Sequence, residues 1–270
     1  MDLLSSLLRA PTAEDDKYSR GVVGFVTGSE TYPGAAILGV TAAIRTGVGM
    51  VRWLGPETVG RLLIEVRPEV VLSSGRVQAW VVGSGVPSEP TSEQKSQISD
   101  ALADPGYVVI DAGGLDIAKY ENVVAKAILT PHTGEAVRLF SRFGIALSRS
   151  EIEAEPIYAA SRLAELTGKV VLLKGNVTTV ANSDGQHWQS EPSNPALATA
   201  GSGDVLAGIL GALIASNVQS LDAGLITLEQ TALAAVSLHS QAADLAVKDG
   251  PVAALDIANA IRTVVAKHLA

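Results

Sequence analysis

The sequence predicts an α/β fold in which a doubly wound, mostly parallel sheet carries helices on both faces. Short β-branched runs alternate with longer Ala- and Leu-rich stretches along most of the 270 residues, which is the strand and helix order of βαβ units. The short runs are apolar almost without interruption, as is typical of parallel strands covered on both faces. Apolar residues make up 47% of the chain, which is enough to bury a sizeable core.

Five runs are predicted as buried strands, at residues 21–28, 79–85, 107–114, 127–134 and 170–175. Residues 177–190 differ, because two short strands flank the pair Asp184-Gly185, which favours a tight turn. The sequence therefore predicts parallel strands followed by a small β-hairpin.

Six stretches are predicted as helices, at residues 34–46, 92–103, 151–166, 203–215, 228–247 and 253–268. No repeat, low-complexity tract or linker divides the series, so we predict one domain over residues 1–270. The longest apolar run, residues 205–215, is shorter than the roughly 20 residues that a membrane span needs. Residues 1–11 lack the positively charged start of a signal peptide, and we expect a soluble, cytoplasmic protein.

The net charge argues against nucleic-acid binding, and the cysteine count excludes disulfides and thiolate metal sites. The formal net charge of -8 argues against a nucleic-acid-binding protein, which needs a basic face to release counterions. The sequence has no cysteine, so disulfides and thiolate metal sites are excluded. A ligand that carries phosphate must therefore be held by backbone amides and a few lysines.

Glycines and polar residues follow one predicted strand after another, in the segments TGSETYPG, GSGVP, DAGG, TPHTGE and KGNVT. Ligands bind beyond the carboxyl ends of the strands in open parallel sheets, so these loops are expected to meet at one crevice. In any single loop, Gly and Pro are as well explained as turn residues. Five such loops in order favour a site.

The segment GSGD combines a glycine-rich turn with an acid at the start of a predicted helix. Gly201, Ser202 and Gly203 allow a close approach of the backbone to a ligand, and the helix adds free N–H groups, so together they form an anion hole suited to phosphate. Asp204 stands in the first turn beside this hole, where we expect the helix N-terminus to favour its ionised form. It is a candidate general base, and the alternative is that it only caps the helix.

Lys174 stands just past a predicted buried strand, where it is a candidate to contact nucleotide phosphates. The residues that follow it are Gly175, Asn176, Val177 and Thr178. Thr178 opens the hairpin, which is predicted to cover a nucleotide. A solvated lysine at a strand end is the alternative, and the second phosphate-binding device at residues 201–203 favours the nucleotide.

Three segments in this order resemble the ribokinase-like NAD(P)H-hydrate dehydratases, which repair hydrated nicotinamide cofactors. They are LTPHTGE at residues 129–135, KGNVT at 174–178 and NPALATAGSGDVLAG at 194–208. Residues 34–51 are similar to the family's substrate-side helix, and residues 83–87 to its glycine loop. The resemblance extends over about residues 22–239. With no epimerase domain in front, the chain resembles the stand-alone bacterial form.

The resemblance implies a reaction and its co-substrates. ADP, rather than ATP, phosphorylates the ring hydroxyl of the S-epimer of hydrated NADH or NADPH (NADHX or NADPHX). Phosphate then leaves, which restores NAD(P)H and gives AMP and phosphate. Mg²⁺ is expected on the nucleotide phosphates, held mostly through water because the sequence has no dense carboxylate cluster, and no residue is assigned as a direct metal ligand. The family also implies a homotetramer.

The resemblance also implies roles for individual residues. Asp204 would accept the hydroxyl proton, while the amides of residues 201–203 would stabilise the transferring phosphoryl group. Residues 174–178 and Gly203 would bind the nucleotide. The hydrated cofactor would contact Gly34, Ala35, Ala36, Gly85, His132 and Asp204. Close packing explains the four small residues equally well, and His132 is also explained as a loop histidine bonded to backbone; His239 is expected to pack on a helix face.

Two positions depart from the family pattern. Thr133 stands where the family usually has proline, and Gly113 where a second acid is common, which leaves Asp111 as the only carboxylate of its loop.

Two other functions stay open. The first alternative function is a small-molecule kinase of the same fold, acting on a vitamin alcohol and releasing a stable phosphorylated product. The second is a non-catalytic nucleotide-binding sensor.

Overall fold

The computed structural model describes residues 2–270, in which eight strands form one sheet. The strands are β1 (Val22–Val26), β2 (Met50–Leu54), β3 (Ala79–Val82), β4 (Tyr107–Ile110), β5 (Lys126–Leu129), β6 (Val170–Leu173), β7 (Thr179–Ala181) and β8 (His187–Gln189). Their order across the sheet is β2-β1-β3-β4-β5-β6-β7-β8. Strands β1 to β6 pair in parallel, whereas β6–β7 and β7–β8 are antiparallel. The predicted doubly wound sheet and its hairpin are confirmed.

The helices of the described chain connect and cover these strands. They are α1 (Leu3–Leu7), α2 (Pro33–Thr46), α3 (Glu57–Val66), α4 (Ser92–Ala103), α5 (Gly113–Ile117), α6 (Thr133–Arg142), α7 (Arg149–Ala154), α8 (Pro156–Thr167), α9 (Ser202–Ser216), α10 (Val218–Asp222), α11 (Leu228–Ala246) and α12 (Ala254–His268). None of the helices in residues 2–270 is long and apolar enough to cross a membrane.

The core consists of two hydrophobic clusters, one on each face of the sheet. Side chains of β4 alternate between them, because successive residues of a strand point to opposite faces. Tyr107 and Val109 belong to the cluster built with α2, α9, α11 and α12, while Val108 and Ile110 belong to the cluster built with α4, α6 and α8. This division confirms that helices cover both faces.

Several predicted boundaries are wrong for identifiable reasons. The helix predicted over residues 151–166 is two helices, because Pro156 has no N–H to continue the first one and Glu155 before it leaves the helical conformation. The strands predicted to reach residues 114 and 134 end at Ile110 and Leu129. Helices α5 and α6 begin in the segments that follow these two strands, and neither helix was predicted.

The region of residues 34–51 is not one helix. Helix α2 ends at Thr46, and Gly47 follows in a left-handed conformation with φ of 108°, which favours glycine. Strand β2 then begins at Met50. Strand β2 was not predicted, because Arg52 interrupts its apolar run, and helix α3 was not predicted either.

Candidate active site

The carboxyl ends of β3, β4, β5 and β6 meet at the carboxylate of Asp111. One carboxylate oxygen, Oδ2, accepts a hydrogen bond from the Ser84 hydroxyl at 2.8 Å. The other, Oδ1, accepts from the Thr130 hydroxyl at 2.7 Å and from Lys174 Nζ at 2.8 Å. Four of the five loops that were predicted to converge therefore meet at this carboxylate.

Lys174 turns inward and forms a buried ion pair with Asp111. Its side chain is 18% exposed and that of Asp111 only 3%, and Nζ also lies 3.8 Å from a carboxylate oxygen of Glu135. Burial alone would lower the pKa of Lys174, but the charges of Asp111 and Glu135 raise it above its ordinary value. Burial alone would raise the pKa of Asp111, but Lys174, Thr130 and Ser84 hold it below its ordinary value. The alternative of a solvated lysine is wrong.

His132 caps the start of α6 through a reciprocal pair of hydrogen bonds with the helix. Its Nδ1 accepts from the Gly134 N–H at 3.0 Å, while Glu135 accepts from the His132 backbone N–H at 2.8 Å. The side chain of His132 nevertheless remains 52% exposed. Partial burial, assisted by Lys174 and Arg138, lowers the pKa of His132 against the attraction of Glu135. The imidazole is therefore a neutral group that is fixed by the helix and open to a ligand.

The start of α9 lies under the ammonium group of Lys174. Gly201 occupies the N-cap position with φ of 88°, a left-handed conformation that favours glycine. A Cβ atom built on Gly203 would lie 3.4 Å from Lys174 Nζ. The free N–H groups of a helix start and a positive charge are thus close together, as binding of a phosphate requires.

Asp204 is the third residue of α9 and does not occupy its N-cap position, which belongs to Gly201. Burial raises the pKa of Asp204 to about 7, repulsion from Asp111 and Glu135 adds to the effect, and Lys174 opposes it. The expectation that the helix N-terminus keeps this acid ionised is wrong, because desolvation outweighs the helix dipole. A carboxylate with a pKa near neutral is well matched to proton transfer at physiological pH.

A cavity of about 540 Å³ opens beside this cluster, and its size suits a small organic ligand. Its lining includes Lys174, Gly175, Asn176, Thr178, Ser202 and Gly203. The apolar side chains of the lining include Pro195, Leu197, Leu206 and Val236. Val177 instead lines a neighbouring cavity of about 520 Å³ that shares residues 174–176. The structure thus brings most of the predicted nucleotide residues to one cavity.

The predicted substrate seat is more buried than the sequence analysis expected. Ala35 is 7% exposed and Ala36 is fully buried, so both support α2 from inside. Gly85 has φ of 66°, and a Cβ atom there would lie 2.4 Å from the Cβ atom of Ala35. Close packing therefore accounts for these three residues, whereas Gly34 is exposed.

The two departures from the family pattern have simple structural settings. Thr133 is the first residue of α6. A Cβ atom built on Gly113 would lie 2.2 Å from the carbonyl oxygen of Val86, so this backbone has no room for an acid at that position. The absence of the second acid is therefore coupled to the path of this loop.

Four residues of the site were missed or misjudged by sequence reasoning. Ser84, Thr130 and Glu135 complete the buried cluster, and His239 lines the cavity from α11. The spacing of Glu135 three residues after His132 is that of a capping box and was a usable signal. Ser84 and Thr130 carry no comparable local signal, because they approach Asp111 only in the folded sheet.

Comparison with known proteins gives one consistent set of relatives. The family profile described as NAD(P)H-hydrate dehydratase matches residues 23–264. The chain is 37% identical to the bifunctional NAD(P)H-hydrate repair enzyme Nnr of Corynebacterium glutamicum, over 95% of this chain and 49% of that protein. It is 33% identical to the ADP-dependent (S)-NAD(P)H-hydrate dehydratase of Neisseria meningitidis, over 93% of this chain and 88% of that one. The chain thus spans about half the length of its bifunctional relatives.

Solved structures agree with this set. An ADP/ATP-dependent NAD(P)H-hydrate dehydratase of Bacillus subtilis, co-crystallised with ATP and Mg²⁺, is 27% identical with a TM-score of 0.83, and the match covers 98% of this chain and 96% of that one. A ribokinase of Thermotoga maritima is 15% identical with a TM-score of 0.54, covering 90% and 99% of the two chains. The second similarity identifies the ribokinase-like fold alone.

Proposed function

The chain belongs to the NAD(P)H-hydrate dehydratase family, and from this premise we propose that it restores NADH and NADPH from their hydrated S-epimers at the expense of ADP. The observation that carries the proposal is the position of Asp204, a partly buried carboxylate with a pKa near 7 at the start of α9. A protein that only binds a nucleotide has no need of a base at that point.

The proposed reaction begins with transfer of a phosphoryl group to the ring hydroxyl of the hydrated cofactor. Asp204 accepts the hydroxyl proton as the oxygen–phosphorus bond forms, and AMP is released. The amides of residues 201–203 stabilise the charge on the phosphoryl group during transfer. The ring nitrogen then donates electrons to expel phosphate, and the neighbouring ring carbon loses a proton, which restores the double bond of NAD(P)H.

Lys174 is proposed to act as a fixed positive charge rather than as a mobile contact. Its ammonium group is anchored by Asp111 and lies beside Gly203. This position suits the negative phosphates of a nucleotide bound over the start of α9. The exposed Gly175 and Asn176 and the buried Thr178 complete the proposed nucleotide site.

The hydrated cofactor is proposed to contact the site from the side of His132 and Gly34. The exposed part of the His132 side chain offers a neutral imidazole next to the cluster. Ala35, Ala36 and Gly85 would shape this side through packing.

Mg²⁺ is proposed to enter with the nucleotide. Over residues 2–270, no group of three or more histidine, aspartate or glutamate side chains could hold a metal ion. The residues therefore do not fit a cage made by the protein, whereas an ion held by phosphate oxygens and water fits the chemistry of Mg²⁺. When bound, it would neutralise part of the phosphate charge.

The finer properties of the protein are proposals from its relatives. ADP as the preferred donor follows the name of the N. meningitidis relative, while the B. subtilis enzyme was co-crystallised with ATP and Mg²⁺. A homotetramer is proposed from the resemblance described above, and a cytoplasmic location from the sequence analysis. A donor assay at matched Mg²⁺ tests the first point, and turnover with ATP at least as fast as with ADP would reverse it.

Product analysis tests the proposed function as a whole. Acid-hydrated NADH is incubated with enzyme, ADP and Mg²⁺, while the absorbance of the reduced nicotinamide ring is followed. The proposal predicts its return, with one AMP and one phosphate for each NADH restored. A stable phosphorylated product would indicate a small-molecule kinase, and nucleotide binding without any turnover would indicate a sensor.

A further inference from the structure

A second cavity adjoins the cavity that is proposed to bind the nucleotide. Its volume is about 520 Å³, against about 540 Å³ for the first, so each is large enough for a ligand of nucleotide size. His132 and residues 174–176 line both cavities. The two cavities therefore meet between the N-cap of α6 and the end of β6.

The two cavities differ in their relation to α9. Ser202 and Gly203 line the first cavity, whereas within residues 2–270 no residue of α9 lines the second. The phosphoryl group is proposed to be transferred over the start of α9, so its donor belongs in the first cavity. The second cavity is then free for part of the other substrate.

The hydrated cofactor is a dinucleotide, and only its nicotinamide ring has to react. The ring is proposed to contact His132, and the adenylyl half, which is joined to it through a pyrophosphate, must lie elsewhere. Because His132 also lines the second cavity, that cavity begins where the ring is proposed to bind. It therefore lies in a suitable place for the adenylyl half.

Arg149, the first residue of α7, brings an exposed positive charge to the lining of the second cavity. Its Nε donates a hydrogen bond to Glu153 at 2.9 Å, while the two side chains remain 72% and 54% exposed. An ion pair as exposed as this contributes little to stability, so Arg149 can bind a phosphate at small cost. Pro156 and Val177 add partly exposed apolar surface to the same lining, as contact with a base requires.

We propose that the second cavity binds the adenylyl half of the hydrated cofactor and that Arg149 contacts one of its phosphates. This inference rests on the proposed function, because it assumes that a hydrated dinucleotide is the substrate. The phosphate belongs either to the pyrophosphate or to the 2′ position of NADPHX. Both present the same chemistry to a guanidinium, and a comparison of the two hydrates distinguishes them.

The test is steady-state kinetics of the whole chain at saturating ADP and Mg²⁺ with three substrates: hydrated NADH, hydrated NADPH and hydrated reduced nicotinamide mononucleotide, which lacks the adenylyl half. Arg149→Met removes the charge, and Glu153→Gln removes the carboxylate that competes with a phosphate. Arg61→Met is the matched control, because Arg61 on α3 is 73% exposed and is also paired with a glutamate four positions away, Glu57.

The inference predicts that the unchanged protein has a lower kcat/KM for the hydrated mononucleotide than for hydrated NADH. Arg149→Met should raise the KM for hydrated dinucleotide about 10-fold, the effect of one charge-assisted hydrogen bond at an exposed site. It should leave kcat, the KM for ADP and the KM for the mononucleotide unchanged. An increase for both dinucleotides would identify the pyrophosphate, and an increase for hydrated NADPH alone the 2′-phosphate.

The other two variants make the test specific to a phosphate contact. Glu153→Gln should lower the KM for the same dinucleotides, because it frees Arg149 and removes a negative charge from the cavity. Arg61→Met should change none of the constants. If Arg149→Met and Glu153→Gln both raised the KM of all three substrates, the ion pair would only hold α7 in place and the inference would be wrong.

Equal kcat/KM values of the unchanged protein for hydrated NADH and the hydrated mononucleotide would overturn the inference and leave the proposed function intact. Unchanged KM values in Arg149→Met would do the same, as would a loss of ADP affinity in its place, since the second cavity would then belong to the nucleotide. If the unchanged protein restored none of the three hydrates, the proposed function would fail and the inference with it. The comparison of substrates on the unchanged protein does not depend on the folding of a variant.

Discussion

Asp204 owes its chemical use to burial rather than to its helix. A helix N-terminus stabilises a carboxylate only modestly, while removal of an acid from water beside two other carboxylates disfavours its charge more strongly. Burial accordingly raises the pKa of Asp204 to about 7. The group can therefore exchange a proton at neutral pH.

The pH dependence of turnover follows from this pKa. Asp204 acts as a base only when it is deprotonated, so kcat should rise with pH below about 7 and become level above it. Steady-state assays of hydrated NADH with saturating nucleotide from pH 5.5 to 8.5 measure this profile. A kcat that is independent of pH over this range would contradict the assignment of Asp204 as the base.

The ion pair of Lys174 and Asp111 contributes both to nucleotide binding and to the free energy of unfolding. Lys174→Ala should weaken nucleotide binding by about 1.5–3 kcal/mol, the range for a charge-assisted hydrogen bond. It should also lower the free energy of unfolding by about 3–5 kcal/mol, because the buried Asp111 loses its partner. Denaturant titration and calorimetry measure the two effects.

A second substitution separates these two effects. Asp111→Asn in the Lys174→Ala protein should recover part of the stability, since no unpaired charge remains, but none of the affinity. Recovery of both would mean that Lys174 acts on the nucleotide only through folding.

His132 serves both the helix and the proposed substrate, and two substitutions distinguish these roles. His132→Asn keeps a side chain that can cap α6, whereas His132→Ala loses the cap and about 1 kcal/mol of stability. Both should raise the KM for the hydrated cofactor without changing nucleotide affinity. If His132→Asn retained the original KM, the imidazole would be only a cap.

At the scale of the elements, α9 carries the site and is held by very close packing against α2. A Cβ atom built on Gly208 would lie 2.1 Å from the carbonyl oxygen of Gly39. Helix α9 also contacts the sheet through Gly211, where a Cβ atom would lie 2.3 Å from the side chain of Val81. The glycines of α9 therefore fix the depth at which its N-terminus, with Asp204, meets the cavity.

Gly208→Ala tests this coupling. The added methyl group must separate α9 from α2, which should cost about 1–3 kcal/mol of the free energy of unfolding and lower kcat through displacement of Asp204. Gly34→Ala, near the exposed start of α2, is the control for stability and should change it by less than about 0.5 kcal/mol. A Gly208→Ala protein as stable as the original would show that the two helices are not in the close contact described.

The elements that sequence reasoning found are those whose signals are local. Helix α4 is predicted to the residue, and α9, α11 and α12 to within one residue at each end, because their apolar periodicity is uninterrupted. Strand β2 was missed because it contains Arg52, and helices α5 and α6 because they begin directly after strands that were predicted too long. Helices α1, α3 and α10 were not predicted either. Pro156 is a local signal for a break in the helix predicted over residues 151–166.

At the scale of the whole molecule, the site arises where the ends of successive strands meet. Lys174 and Asp111 are 63 positions apart in the chain, and Thr130 is 19 positions from Asp111. The motifs predicted which residues belong to a site, but a single sequence cannot reveal which of them touch. A single sequence cannot reveal the raised pKa of Asp204 either, because this pKa depends on burial by elements that are distant in the chain. The organisation of residues 1–270 as one domain stays a prediction.

The central claim is that Asp204 is the proton acceptor of a phosphoryl transfer, and Asp204→Asn tests it most directly. The substitution keeps the shape of the side chain and removes its charge. Between about pH 4 and 7 the folded protein retains a proton on Asp204 that the unfolded chain releases, so ionisation of Asp204 costs stability as the pH rises. The variant should therefore be at least as stable as the original at pH 8. Asp184→Asn, in the exposed turn of the hairpin, is the matched control.

The decisive measurement is the rate at which each protein restores NADH from its hydrate, beside nucleotide affinity measured on the same samples. We predict that Asp204→Asn loses about 10²- to 10⁴-fold in kcat, the usual contribution of a positioned general base, while it binds nucleotide as well as the original or more tightly. Asp184→Asn should keep the original rate. A folded Asp204→Asn protein that binds nucleotide and restores NADH at nearly the original rate would contradict the account.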